Sequence, residues 1–244
     1  MKVHLKGAIR DSRAKRVILE NLRNGPVSGE ELGKLLGLSR VAIWKHVREL
    51  NSLGYSIKAT RRGYRLVREA KIPYPWELGV KSLYFRSVPS TMNVTKALAE
   101  EETFGTFVIA GEQTAGRGRL GRSWVSMQGG LYFSVGVSQR IPMEGLSRLR
   151  VEVMESIVKV LENLGVKAEA AENGIFTENG KLGGVLVEGF GEPELVRFAL
   201  VGVGINVNNP VPEEGTSLSI ELGKRVSLLK VARAVIEGVD YDTR

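Results

Sequence analysis

The 244-residue chain contains no cysteine, which excludes disulfide frameworks, thiolate metal sites and cysteine nucleophiles. Histidine is almost as scarce. His4 and His46 are too few for a His-rich metal site or an obvious serine triad, and no metal site is expected. No run approaches the ~18 apolar residues needed to cross a bilayer, and Met1–Arg10 lacks the apolar stretch of a secretory signal. A cytoplasmic protein with no membrane partner is the expectation. Internal repeats and low-complexity tracts are missing as well. What the chain has in excess is positive charge, 35 Lys+Arg against 27 Asp+Glu. Residues 1–70 hold 16 basic and 6 acidic side chains, and the remaining 174 residues hold 19 and 21. The whole surplus therefore lies in the first 70 residues, which suggests a polyanion-binding module joined to a near-neutral domain.

Residues 1–12 show no period and read as a frayed arm. From Ala14 to Asn24, Val17, Ile18 and Leu22 recur at helical spacing until Gly25-Pro26. Ser28 and Glu31 form a capping box that opens a second helix, with Leu32, Leu35 and Leu36 inward and a stop at Gly37. Ser39 caps a third helix ending at Gly54, with Ile43, Val47 and Leu50 as its buried stripe. Arg40, Trp44 and Arg48 fall on another face, beside Lys45. Tyr55–Lys58 and Tyr64–Val67 flank Ala-Thr-Arg-Arg-Gly and read as a basic hairpin. The sum is a winged helix-turn-helix over residues 1–68. Such a motif places its second helix in the major groove, so Ser39, Arg40, Trp44, Lys45 and Arg48 are candidates for contact with a double-stranded DNA operator. Arg61 and Arg62 at the wing tip are placed for phosphates or the minor groove. Trp44 has a competing reading, as core packed on the wing.

Residues 69–80, with two prolines and several charges, read as a linker. In residues 81–244 strands alternate with helices. The expected strands are Ser82–Val88, Phe107–Gly111, Gly130–Val137, Gly183–Phe190 and Arg197–Val207, and the expected helices Met92–Glu101, Ser147–Leu164 and Ser227–Glu237. The fold class is α+β, with a second domain of mixed topology.

The run from Gln113 to Trp124 is the most informative in the chain. Gly116, Gly118 and Gly121 formally satisfy G-x-G-x-x-G, but that fingerprint requires a helix directly after it, and here Leu131–Val137 reads as a strand. Nor is there a Lys-Ser/Thr for a P-loop. Arginines interleaved with glycines instead make a flexible cationic loop, suited to closing over a phosphate with backbone amides and guanidinium forks.

With this loop, the sequence resembles the bifunctional biotin protein ligase/biotin operon repressor family. The resemblance rests on Ser39-Arg-Val-Ala-Ile-Trp-Lys-His46 and Gly63-Tyr64 in the first domain. In the second it rests on Ser90-Thr91-Met-Asn93, the Gln113–Trp124 loop, Lys181-Leu-Gly-Gly-Val-Leu-Val-Glu188 and Gly202-Val-Gly-Ile-Asn206. It implies a class II synthetase/biotin ligase-like domain. There biotin and ATP, with Mg, give biotinyl-AMP, which biotinylates a lysine of a biotin carboxyl carrier protein or acts as corepressor. By position, Ser90, Thr91 and Gln113 look like ligands of the biotin head, and Gly116, Arg117 and Arg119 like the loop that closes on biotin and the adenylate phosphate. Trp124 would flank the adenine, Lys181 and Gly184 would border the biotin carboxyl end, and Asn206 the nucleotide. Arg119 and Lys181 are the catalytic candidates. Joining a carboxylate to an α-phosphate brings two anions together, which a basic, desolvating clamp favours.

The resemblance fails at one segment. Where the family carries Lys-Trp-Pro-Asn-Asp, this chain has Ala170-Ala171-Glu172-Asn173-Gly174, so only Asn173 survives and the family lysine and aspartate are replaced by Ala170 and Gly174. Read as one strand, the segment turns Lys167 away from the site and places Glu172 on the face of Gly174, two steps removed. The family also continues into a small SH3-like β-domain, for which no counterpart is expected after Asn206. Three readings follow. The first in rank is a biotin- or biotinyl-AMP-responsive repressor with weak or absent ligase activity, acting as a homodimer. The others are an active bifunctional ligase and repressor, and a ligand-independent DNA-binding dimer.

Overall fold

A computed structural model describes residues 5–138, 142–192 and 195–239; His4 lies outside them. The chain forms two compact units, one of residues 11–72 and one drawn from the residues on either side. The larger unit is entered first, through the two-residue strand β1 (Ile9–Arg10).

The smaller unit carries α1 (Arg13–Arg23), α2 (Gly29–Leu36), α3 (Arg40–Ser52) and a hairpin of β2 (Ser56–Thr60) and β3 (Gly63–Arg68). Each helix starts on a serine. Ser12, Ser28 and Ser39 accept from the backbone N–H of Lys15, Glu31 and Ala42, satisfying donors a helix start otherwise leaves unpaired. Ile18, Leu19, Leu22, Leu32, Ile43, Val47 and Leu50 form the core. Leu35, expected inward, is instead exposed. The buried side of α2 is centred on Leu32 and Gly33, and at 100° per residue Leu35 falls well to one side of it.

The larger unit continues with α4 (Pro75–Leu78), β4 (Ser82–Val88), α5 (Thr91–Glu100), β5 (Phe107–Gln113), β6 (Leu131–Val137) and α6 (Gly145–Asn163). It closes with β7 (Glu169–Ala171), β8 (Gly174–Thr177), β9 (Gly180–Glu192), β10 (Leu195–Ile205), α7 (Leu218–Glu221) and α8 (Leu228–Gly238). Its strands make one mixed sheet in the order β1-β4-β5-β6-β10-β9-β8-β7, in which β4 and β5 run parallel and the other pairs antiparallel. Met92 of α5 packs over Gly202, whereas Leu146 of α6 packs over Gly189, the ladder partner of Ala199. Strand alternation puts these contacts, and with them α5 and α6, on opposite faces.

Two segments read as loose chain belong to this unit. Ile9 and Arg10 pair with Tyr84 and Leu83, so the supposed arm supplies an edge strand. Within the stretch read as a linker, Tyr74 and Trp76 are buried and stacked at 5.0 Å, and the buried Glu77 carboxylate accepts from Arg233 of α8 at 2.9 Å. Those aromatics fix α4 as part of the core.

Candidate functional site

On the α5 face of the sheet lies an open cleft, about 860 Å³ when the space at its mouth is included. The segment after β5 forms one wall. Gln113 N–H donates to Ser126 O at 3.0 Å, Trp124 N–H to Gly116 O at 2.9 Å and Gly118 N–H to Arg122 O at 2.7 Å. The cationic loop is thus a narrow, laddered excursion. Its tip is a single 3-10 turn, Arg119–Gly121, where Leu120 takes φ 54 and is 84% exposed.

Gln113 anchors the base of the loop. Its Oε1 accepts from Thr91 N–H at 2.8 Å and Thr91 Oγ1 at 3.2 Å, while Nε2 donates to Ser126 Oγ at 2.8 Å. Beside it, Ser90 lines the cleft, and its Oγ is buried with no partner. Trp124 lies against Gly184 and Gly204, which face each other across β9 and β10. A Cβ on Gly204 would come within 2.5 Å of the indole Nε1, so only glycine lets the ring approach this closely. That Nε1 is buried and also without a partner. Two orphaned donors at the cleft wall are what a ligand with polar atoms would satisfy.

The positive groups converge on the same space. Lys181 Nζ lies 5.5 Å from the Trp124 ring centroid and 5.7 Å from that of Phe176. Burial, then Arg122 and Arg119, hold its pKa below the usual lysine value. Arg117 pairs with Glu188 at 3.1 Å. Arg119 donates to the Glu172 carbonyl at 2.5 Å and stands 3.7 Å from its carboxylate. Among the described residues, Glu172 is the one carboxylate lining the cleft.

The segment Ala170–Gly174 is a hairpin, not one strand. Ala171 pairs with Gly174, and Glu172-Asn173 form the turn, so Glu172 does not share a strand face with Gly174. Gly174 has φ +148, and a Cβ there would come within 2.5 Å of Gly183 O and 2.8 Å of Lys181 Cε.

Of the residues singled out by sequence, Ser90, Thr91, Gln113, Arg117, Arg119, Trp124, Asn173, Lys181 and Gly184 line this one cleft. Gly116 does not; it backs onto Trp124 O and Ser126, where the loop closes. Asn206 is buried behind the wall, its Nδ2 3.4 Å from Lys181 O and its Oδ1 accepting from Asn209 at 3.0 Å. Arg122, Met92 and Phe133 line the cleft without having been singled out. Arg122 was legible as the third arginine of the loop and Met92 lies within the Ser90–Asn93 motif, but Phe133 carries no sequence signal beyond core.

In the smaller unit, Arg40, Trp44, Lys45 and Arg48 are exposed on α3, and Ser39 Oγ is engaged as its cap. Trp44 is 46% exposed, with the Arg48 guanidinium 4.8 Å from its ring centroid, which removes the reading of Trp44 as core. Arg61 and Arg62 are exposed at the β2–β3 turn. Among the described residues no helix is long and apolar enough to cross a membrane.

Comparison with known proteins agrees with this geometry. Residues 84–206 match the Biotin/lipoate A/B protein ligase family and residues 15–65 an HTH domain. The chain is 33% identical over 231 residues to the bifunctional ligase/repressor BirA of Bacillus subtilis, covering 86% of this chain and 71% of that protein. Against BirA of Escherichia coli the identity is 29%, over 82% of this chain and 65% of that one. The biotin protein ligase of Aquifex aeolicus in complex with biotin and ATP superposes with TM-score 0.54 at 30% identity, covering 65% of this chain and 68% of the other.

Proposed function

We propose, from the premise that the chain belongs to the biotin/lipoate A/B protein ligase family, that it is a biotin- or biotinyl-AMP-responsive transcriptional repressor with weak or absent ligase activity. One observation carries this reading. The groups suited to holding an anionic, polar ligand line a single cleft, while the adjacent hairpin offers Ala170 and Gly174 where the family pattern has a lysine and an aspartate. Ser90 Oγ and Trp124 Nε1 are unpartnered groups for the ligand's polar atoms. Arg119, Arg122 and Lys181 attract its carboxylate or phosphate. Glu172, mostly exposed and beside Arg119, is a poor seat for Mg. Losing one preorganised donor of the family's lysine type costs ~10²–10³ in rate.

On the repressor side, α3 with Ser39, Arg40, Trp44, Lys45 and Arg48 enters the major groove of an operator, and Arg61 and Arg62 contact its backbone or minor groove. A homodimer matches two half-sites, and ordering of the 113–124 loop over ligand links occupancy to DNA affinity. The convergence of Arg119, Arg122 and Lys181 favours the second reading, an active ligase that also modifies a biotin carboxyl carrier protein. Incubation with biotin, labelled ATP and Mg decides between them. Little or no biotinyl-AMP, with ligand-dependent operator binding, is expected; product at ordinary enzyme rates makes the chain an active ligase.

A further inference from the structure

Arg150 was not marked by any motif. It sits on α6, on the opposite face of the sheet from the cleft, yet its Nη1 donates to the Glu172 carbonyl at 2.9 Å. That is the oxygen to which Arg119 donates from the cleft side at 2.5 Å. Two guanidinium groups from different elements therefore meet on one neutral acceptor at the tip of the β7–β8 hairpin. Arg122 and Lys181 line the cleft nearby, and among the lining residues the one negative group is the Glu172 carboxylate, 82% exposed. The arrangement has an uncompensated positive charge, and it lies beside the strand that carries Ala170.

We propose that Arg119 and Arg150 form a two-guanidinium clamp for a phosphate group of the ligand, Arg150 supplying from α6 the cation that position 170 lacks. The carbonyl offers one oxygen to both arginines, whereas a phosphate offers each its own acceptor and adds negative charge between them. Burial first, and then Arg119, lower the pKa of Arg150, as expected of cations crowded without a full counter-charge. The inference rests on the proposed function for the ligand's chemical class. It commits further, to a ligand recognised through phosphate and not through biotin alone.

The test is calorimetric titration of the full chain with biotin, biotinyl-AMP, ATP and inorganic pyrophosphate, for wild type, Arg150→Ala, Arg150→Lys and Arg148→Ala. Arg148 is on the same helix, exposed, and paired with Glu152, so its loss controls for net charge. Arg150→Ala is expected to weaken biotinyl-AMP at least about tenfold, the weight of one charge-assisted contact, with biotin changed less than about twofold. Arg150→Lys should recover part of the loss, and Arg148→Ala should match wild type. Weakening confined to ATP and pyrophosphate also supports the clamp and assigns it to the outgoing phosphates. Equal losses for biotin and every phosphate ligand, or the same loss in Arg148→Ala, overturn it. Wild type binding neither biotin nor biotinyl-AMP would overturn the proposed function instead.

Discussion

Two side chains of the cleft illustrate how binding is set against stability. Ser90 buries a hydroxyl with no partner, a state that costs free energy unless a ligand relieves it. Ser90→Ala is therefore expected to leave the thermal midpoint unchanged or raise it, while biotin affinity falls about tenfold by calorimetry. A lower midpoint with unchanged affinity would make Ser90 a structural residue. Lys181 makes a pH-dependent prediction. Its pKa is depressed by burial and by Arg122 and Arg119, so a bound anion, which stabilises the ammonium, raises it again. Binding then takes up protons, and affinity falls as pH rises through the lysine's own pKa. Titrations in buffers of different ionisation enthalpy, at alkaline pH below the ordinary lysine pKa, should show proton uptake that Lys181→Met abolishes.

At the scale of elements, the β7–β8 hairpin separates two substitutions that look alike in sequence. Ala170 lies in an exposed strand, so Ala170→Lys should fold normally and raise biotinyl-AMP synthesis. Gly174→Asp must instead force a side chain onto Gly183 O and Lys181 at φ +148, and should lower stability by roughly 1–3 kcal/mol. Denaturation curves and adenylation assays on the two single variants check this; equal stability would mean that the hairpin readily rearranges. The same hairpin marks the limit of what was legible. The helices of the smaller unit announce themselves through serine caps and apolar periods, and the strands of the larger through apolar runs, so both were readable. Glu169–Thr177 has neither signal. Its short strands are set by two successive hairpins, β7 with β8 and β8 with β9, and what appeared to be one strand is two. One wall of the cleft was readable because it is a contiguous loop of glycine and arginine, while Ser90, Thr91, Asn173, Lys181 and Gly184 were reached through the family resemblance. Arg150 was not, because its position depends on how α6 packs and not on its neighbours in the chain.

For the whole molecule, the distribution of charge frames the last prediction. Residues 1–70, which contain the HTH match, hold the entire positive surplus, so the DNA affinity proposed for them is expected to be electrostatic and to fall steeply with salt. Under the proposed function, ligand adds to this by a different route. Ordering of the 113–124 loop over ligand would favour a dimer that presents two α3 helices to two half-sites, and the gain is the coupling free energy between sites. Arg119 sits on the ligand side of that linkage, since it lines the cleft and its hydrogen bond and ion pair are with Glu172. Arg119→Ala is thus expected to abolish the increase in operator affinity produced by biotinyl-AMP while leaving ligand-free binding, and its salt slope, as in wild type. Coupling free energies of ~1–3 kcal/mol correspond to a 5–150-fold increase for the wild type, well within reach of fluorescence anisotropy. Sedimentation of the same samples should show a shift to dimer in wild type and none in the variant. Equal loss of basal and ligand-dependent binding would instead mean that Arg119 supports DNA contact itself, and that the loop does not couple ligand to operator.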